Sequence, residues 1–166
     1  MELYLFGAQQ VVLAGNSLTD LPAKTHALLF YLAVTSQSHP RSALATLLWG
    51  ESAEKNARAS LRKALQQLRQ ILPHHLILVN QSVALQNGKS VWVDAVHFAD
   101  QLAQAATSGS VGPLAKAIAL YRGDFLSKFF VSSAPDFERW QATQQAAAWA
   151  DDGCTANAQS SLEYAE

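Results

Sequence analysis

From about Ala53 to Leu72, apolar residues recur at Ala57, Leu61, Ala64, Leu65, Leu68 and Leu72, the spacing of one face of a helix. Pro73 forces the chain out of that helix, Ser52 is a candidate N-cap, and Glu54 suits its positive end. At about 100° per residue, a helix that buries Leu61, Leu65, Leu68 and Leu72 turns Ala59, Lys63, Gln66 and Gln70 to solvent. Asn56, Arg62 and Gln67 flank them, and no acid occurs between Lys55 and Leu72. Arg, Lys, Asn and Gln are the side chains that contact phosphates and base edges. Taken alone, a basic amphipathic helix is most often a solvated surface, so the surrounding elements decide the reading.

Before it, Met1 to Leu13 holds two β-rich runs separated by Gly7, and Gly15-Asn16 follows as a turn signal. Pro22 stands where a helix with Leu28, Leu29, Tyr31 and Leu32 on its apolar face can begin. After the polar break Ser36 to Pro40, Ser42 can cap a short helix, Ala43 to Trp49, that Gly50 is placed to end. Beyond Pro73 come Leu76–Val79, Val83–Gln86 and Val91–Val93, joined by Asn80-Gln81-Ser82 and by Asn87-Gly88, the stronger type I′ turn signal. A β-meander, three helices and a closing hairpin is the element order of a winged helix with an N-terminal antiparallel sheet.

The texture changes after Asp94. Ala95 to Ala106 reads as helix, Ser108 to Pro113 as loop, and Leu114 to Tyr121 as helix again. Arg122 to Ser133 is an aromatic-rich connection, Pro135 opens a long helix through Trp140 to about Trp149, and Ala156 to Glu166 reads as one more. Antiparallel helix pairs on short loops suggest a solenoid of the tetratricopeptide type, whose full repeat needs about 34 residues and neighbours to stack on. The division expected is a winged-helix domain over 1–94 and the truncated start of a helical repeat domain over 95–166, the chain being an N-terminal piece of a longer one. Charge follows the same division. Residues 1–98 carry eight basic and five acidic side chains, and residues 99–166 carry four and eight. The linker region Val93 to Phe98 has no run of Gly, Ser or Pro, so the halves are expected to pack, with Val96 and Phe98 buried.

Composition removes several alternatives. Only 15% of the 166 residues are charged and 49% are apolar, which is not a disordered composition. Cys154 is alone, so neither a disulfide framework nor a Cys/His metal pattern can be built on it. The longest apolar run, Ala27 to Val34, is eight residues and cannot span a bilayer. No basic segment precedes an apolar stretch at the N-terminus, so a cytoplasmic setting without membrane attachment is expected. There is no GxGxxG, P-loop, GxSxG or HExxH, so neither an enzyme nor a cofactor is expected.

The ordered segments carry a resemblance. They are Leu3-Tyr4-Leu5-Phe6-Gly7, Leu21-Pro22-Ala23-Lys24, Leu28-Leu29-Phe30-Tyr31-Leu32-Ala33, Arg41-Ser42-Ala43-Leu44 and Leu48-Trp49. Asn56-Ala57-Arg58-Ala59-Ser60-Leu61-Arg62-Lys63-Ala64-Leu65, Leu68-Arg69, Val93-Asp94 with Phe98, Leu120 to Leu126 and Phe137-Glu138-Arg139-Trp140 complete the set. In this order the chain resembles the N-terminal part of the SARP-type bacterial transcriptional activators, an OmpR-type winged helix followed by a bacterial transcriptional activator domain. The resemblance implies sequence-specific binding to promoter repeats in double-stranded DNA, with the third helix in the major groove. It also implies contact with RNA polymerase and leaves room for a dimer on DNA. The DNA-binding residues implied are Asn56, Arg58, Ser60, Arg62, Lys63, Gln66, Gln67 and Gln70 on the third helix. Arg41 and Ser42 join them from the second helix, and Asn80 and Gln81 from a wing turn that is short and uncharged. Arg58 and Arg69 turn partly to the core side and are weaker choices than Arg62, Lys63, Gln66 and Gln67. The alternative from another class is a protein-interaction adaptor that works through the helical repeats and does not bind DNA.

The remaining notable residues have plain readings. His74-His75 has no ligand partner at metal spacing and reads as a loop pair. Trp49, Trp92, Trp140 and Trp149 read as packing residues, and Cys154 as an inert thiol.

Overall fold

The computed structural model describes residues 1–86 and 91–150. In chain order they form β1 (Glu2–Tyr4), β2 (Gln10–Leu13), β3 (Asn16–Ser17), α1 (Ala23–Thr35), β4 (His39–Pro40), α2 (Arg41–Trp49) and α3 (Glu54–Ile71). Then come β5 (Leu76–Val79), β6 (Ser82–Leu85), β7 (Trp92–Val93), α4 (Asp94–Ser108), α5 (Val111–Leu120) and α6 (Pro135–Ala150). One sheet runs β3-β2-β1-β7 and the other β4-β6-β5. The suggested helix Ala156–Glu166, Cys154 and the turn residues Asn87-Gly88 lie outside the described residues, as does the side chain of Trp149.

The apolar run in α1 is the core of the first half. Ala27, Leu28, Leu29, Phe30, Leu32 and Ala33 are all buried, so this helix is covered on nearly every side, and α3 lies against it with Leu61, Leu65 and Leu68. The β5–β6 hairpin has the register Leu76↔Leu85, Ile77↔Ala84, Leu78↔Val83 and Val79↔Ser82, which turns Val83 and Leu85 inward.

Four expectations are corrected. The β7 strand does not close a hairpin with β6; it pairs parallel with β1, through Glu2↔Trp92 and Leu3↔Val93. Neither Ser42 nor Ser52 caps a helix: the N-caps are Pro40 and Ala53, without side-chain hydrogen bonds, and Ser42 lies inside the first turn of α2. The loop before α5 is shorter than Ser108 to Pro113, because α5 begins at Val111. Pro113 fits its first turn, where a backbone N–H has no intrahelical partner to lose. Gly109, at φ 60°, supplies the left-handed cap that ends α4 two residues later than expected.

The two halves meet on an aromatic and hydrogen-bonded joint. The Phe6 ring sits 5.0 Å from Phe98, 5.3 Å from Tyr121 and 6.3 Å from Phe125, while Phe30 meets Phe129 and Tyr31 meets Trp140. Val96, expected to be buried, is only half-buried, whereas Phe98 is buried as expected. Asp94 begins α4 with 1% of its surface exposed. Its carboxylate accepts from the backbone N–H groups of Leu5 (2.8 Å), Phe6 (3.1 Å) and Ala95 (2.7 Å). Backbone bonds Gly7 N–H to Asp124 O and Leu126 N–H to Leu5 O continue the seam. Gly7 is required there: it holds φ +77°, and a Cβ would sit 2.8 Å from the Arg122 carbonyl oxygen.

Burial pulls the imidazoles of His26 and His39 below the ordinary histidine pKa. Both groups therefore take up protons more readily once the chain unfolds, so protonation favours the unfolded state. Their contribution is complete above the unfolded value of about 6.5 and is lost as pH falls. A His26→Gln/His39→Gln variant is expected to lose less of its urea midpoint than the parent chain between neutral and mildly acid pH. Equal losses would refute the assignment.

Candidate nucleic-acid interface

The α3 helix presents three surfaces. Its core side carries Ala57, Leu61, Ala64, Leu65 and Leu68, all buried. Its outward side carries Ala59, Lys63 and Gln70, all exposed as the helical spacing implies, while Gln66, expected with them, is exposed and lines the neighbouring groove. The two flanks between them differ. On one flank, Ser60 and Gln67 are half-buried, and Gln67 Oε1 accepts a hydrogen bond from Thr25 Oγ1 of α1 at 3.1 Å. The structure thus sets Gln67 apart from the outward residues and ties it to helix packing.

The other flank is arginine-rich. Arg58, Arg62, Gln66 and Arg69 line a groove of about 790 Å³ together with Pro40, Arg41 and Ser42 at the start of α2 and Leu78 and Gln81 of the β5–β6 hairpin. Among the described residues, no lining residue is acidic. The nearest acid is Glu54, which pairs with Arg58 where both side chains are mostly exposed, 64% and 77%. Such a pair is worth little and leaves the local charge positive. Leu61, Leu65 and Leu78 contribute apolar wall.

The hairpin is anchored to this groove by its turn. Asn80 and Gln81 form the two-residue connection, with Asn80 at φ 52°, a conformation Asn tolerates better than most residues. Gln81 O accepts from the Arg41 backbone N–H at 2.8 Å, so the start of α2 and the tip of the hairpin are held together. Ser82, read as part of the turn, already pairs in β6. The Arg41 Nε atom is buried and has no hydrogen-bond partner among the described residues.

Eight of the twelve residues implied by the resemblance fall on or beside this surface in two groups. Arg41, Ser42, Arg58, Arg62, Gln66 and Gln81 line the groove, and Lys63 and Gln70 lie on the outward face. Asn56 is exposed near the α3 N-terminus, Asn80 is exposed at the hairpin tip, and Ser60 and Gln67 belong to the opposite flank. Arg69 was set aside in the sequence reading, yet it is exposed and lines the groove. The available signal was its spacing, since 58, 62 and 69 follow one stripe of a helix.

No protein-family model matches the chain, and no curated protein matches it in sequence. Among solved structures, it is similar to Mycobacterium tuberculosis EmbR, determined in complex with a low-affinity phosphopeptide, with a TM-score of 0.69 and 22% sequence identity. The likeness is one of fold. It covers 91% of this chain and 43% of that one, so the chain spans less than half the length of its neighbour. Among the described residues, no helix is long and apolar enough to cross a membrane.

Proposed function

We propose that this chain is the DNA-binding part of a transcriptional activator. In this reading, residues 1–94 are a winged helix with α2 and α3 as its helix-turn-helix and β5–β6 as its wing. Residues from 95 onward begin a tetratricopeptide-like domain that contacts RNA polymerase. The carrying observation is the arginine-rich surface formed by the outward face of α3 and the flank beside it, where Glu54 is the one acid paired with a groove arginine among the described residues. Lys63 and Gln70 would face base edges and Arg41, Arg58, Arg62 and Arg69 the phosphates, since guanidinium forks match phosphate oxygens. The uncharged tip Asn80-Gln81 would add little to affinity. Binding to adjacent promoter repeats would bring two copies side by side.

Fluorescence anisotropy with duplex DNA across a salt series tests this. Lys63→Ala and Arg62→Ala are expected to bind more weakly with an unchanged thermal transition. A lost phosphate contact lowers the salt slope by about 1, whereas a lost base contact costs about 1–3 kcal/mol at one position of a specific site. Unchanged affinity in both variants would reject the assignment of α3 and leave the adaptor reading in its place.

A further inference from the structure

The groove beside α3 is more than a phosphate contact needs. Its volume of about 790 Å³ falls within the roughly 300–1,000 Å³ of small-molecule sites. Arg41, Arg58, Arg62 and Arg69 surround it, and only Arg58 has an acidic partner among the described residues. Buried Leu65 and half-buried Leu78 contribute apolar wall. A duplex approaching the outward face of α3 would place phosphates at the rim and leave the half-buried Leu78 uncovered. A smaller anion can enter the concavity. We propose that this groove is a binding site for a small polyphosphorylated molecule of the nucleoside polyphosphate class.

The chemistry of the lining matches that class in two parts. Two or three phosphates would accept from the arginines, whose planar forks bind phosphate bidentately and are more weakly hydrated than an ammonium group. The sugar or base would cover the half-buried Leu78, and a guanidinium plane can stack on a base. Arg41 adds an unsatisfied donor to a lining residue: its Nε has no acceptor among the described residues, and a buried donor left unpaired costs free energy. Because the same arginines are assigned to DNA in the preceding section, the bound molecule would also compete with duplex. That second consequence rests on the DNA reading; the binding itself does not.

The test is isothermal titration of the chain, free of DNA, with ATP, GTP and inorganic pyrophosphate, adenosine serving as the phosphate-free control. ATP or GTP is expected to bind more tightly than pyrophosphate, and adenosine not measurably. Arg69→Gln, at an exposed position, is expected to weaken nucleotide binding by about tenfold or more, with Arg69→Lys in between. Lys63→Ala, outside the groove, is expected to leave it unchanged while weakening duplex binding. Absence of nucleotide binding at millimolar concentration overturns the proposal. So does binding that Arg69→Gln leaves intact, or that Lys63→Ala lowers equally. Pyrophosphate binding as tightly as ATP overturns its nucleoside part. A second arm adds nucleotide to the duplex complex and follows anisotropy. Nucleotide binding without any duplex binding leaves the site standing and rejects the DNA reading; duplex binding without nucleotide binding does the reverse.

Discussion

Replacing Asp94 by alanine is expected to destabilise the chain by about 3–5 kcal/mol, measured by urea unfolding. The carboxylate is almost wholly buried and satisfies the N–H groups of Leu5 and Phe6, which alanine would leave without an acceptor. Each stranded buried donor costs about 1–3 kcal/mol, and the first turn of α4 loses its bond to the Ala95 N–H as well. The neighbouring arginine contributes far less. Arg122 Nη2 lies 3.4 Å from Asp94 Oδ2 with its side chain 47% exposed, and its guanidinium lies 4.5 Å from the Tyr4 ring centroid. Arg122→Ala is therefore expected to cost about 1 kcal/mol. Asp94→Asn keeps one oxygen acceptor and should fall between the two. A loss below about 1 kcal/mol in Asp94→Ala would show that water replaces the carboxylate, contrary to the burial described.

The legibility of this molecule in its sequence varies with how local the determinant is. The α3 helix was legible because its apolar period is long and Pro73 marks its end; the observed span is Glu54–Ile71. The α1 run was legible as apolar, although a helix buried on nearly all sides has little periodicity to read. The partner of β7 was not legible. Two residues carry no register information, and Asn87-Gly88 favoured a hairpin, whereas β7 pairs with β1 next to the place where Asp94 and Phe98 dock on Leu5 and Phe6. Caps at Ser42 and Ser52 failed for a related reason. Pro40 and Ala53 occupy the cap positions, and their side chains offer no acceptor.

The candidate site shows the same division. Lys63 and Gln70 follow from helical geometry alone, and both are exposed. Gln67 is equally polar in sequence, but only the packing of α1 brings Thr25 within 3.1 Å of it. Arg69 is the opposite case. Its helical position turns partly toward the core side, yet the residue is exposed and lines the groove that the hairpin walls in. The groove itself could not be read from sequence, because it exists only where Arg41, α3 and Gln81 converge.

A chain cut after Phe98 is expected to lose cooperative folding or to remain soluble only with difficulty. The N-terminal half exports much of its core to the helices that follow. Phe6, 2% exposed, is covered by Tyr121 and Phe125, Phe30 packs on Phe129, and Tyr31 packs on Trp140. The cut would also strand the Leu5 carbonyl and the Gly7 N–H, which bond to Leu126 and Asp124. Uncovering a large apolar side chain costs up to about 1.5–3 kcal/mol, and a native domain holds only about 5–15 kcal/mol in total. Loss of cover over Phe6 and Phe30, with two stranded backbone groups, therefore takes a large share of that reserve. The boundary proposed at 94/95 would then mark a change of role along the chain and not a hinge. Limited proteolysis of the intact chain provides the opposing observation. The peptide bonds between Asp94 and Asp100 lie in the first turns of α4, where Phe98 is buried, so they should resist cleavage. Rapid cleavage there, yielding a 1–98 fragment with a sharp thermal transition, would mean that the aromatic joint contributes little and that the two halves are tethered, not packed.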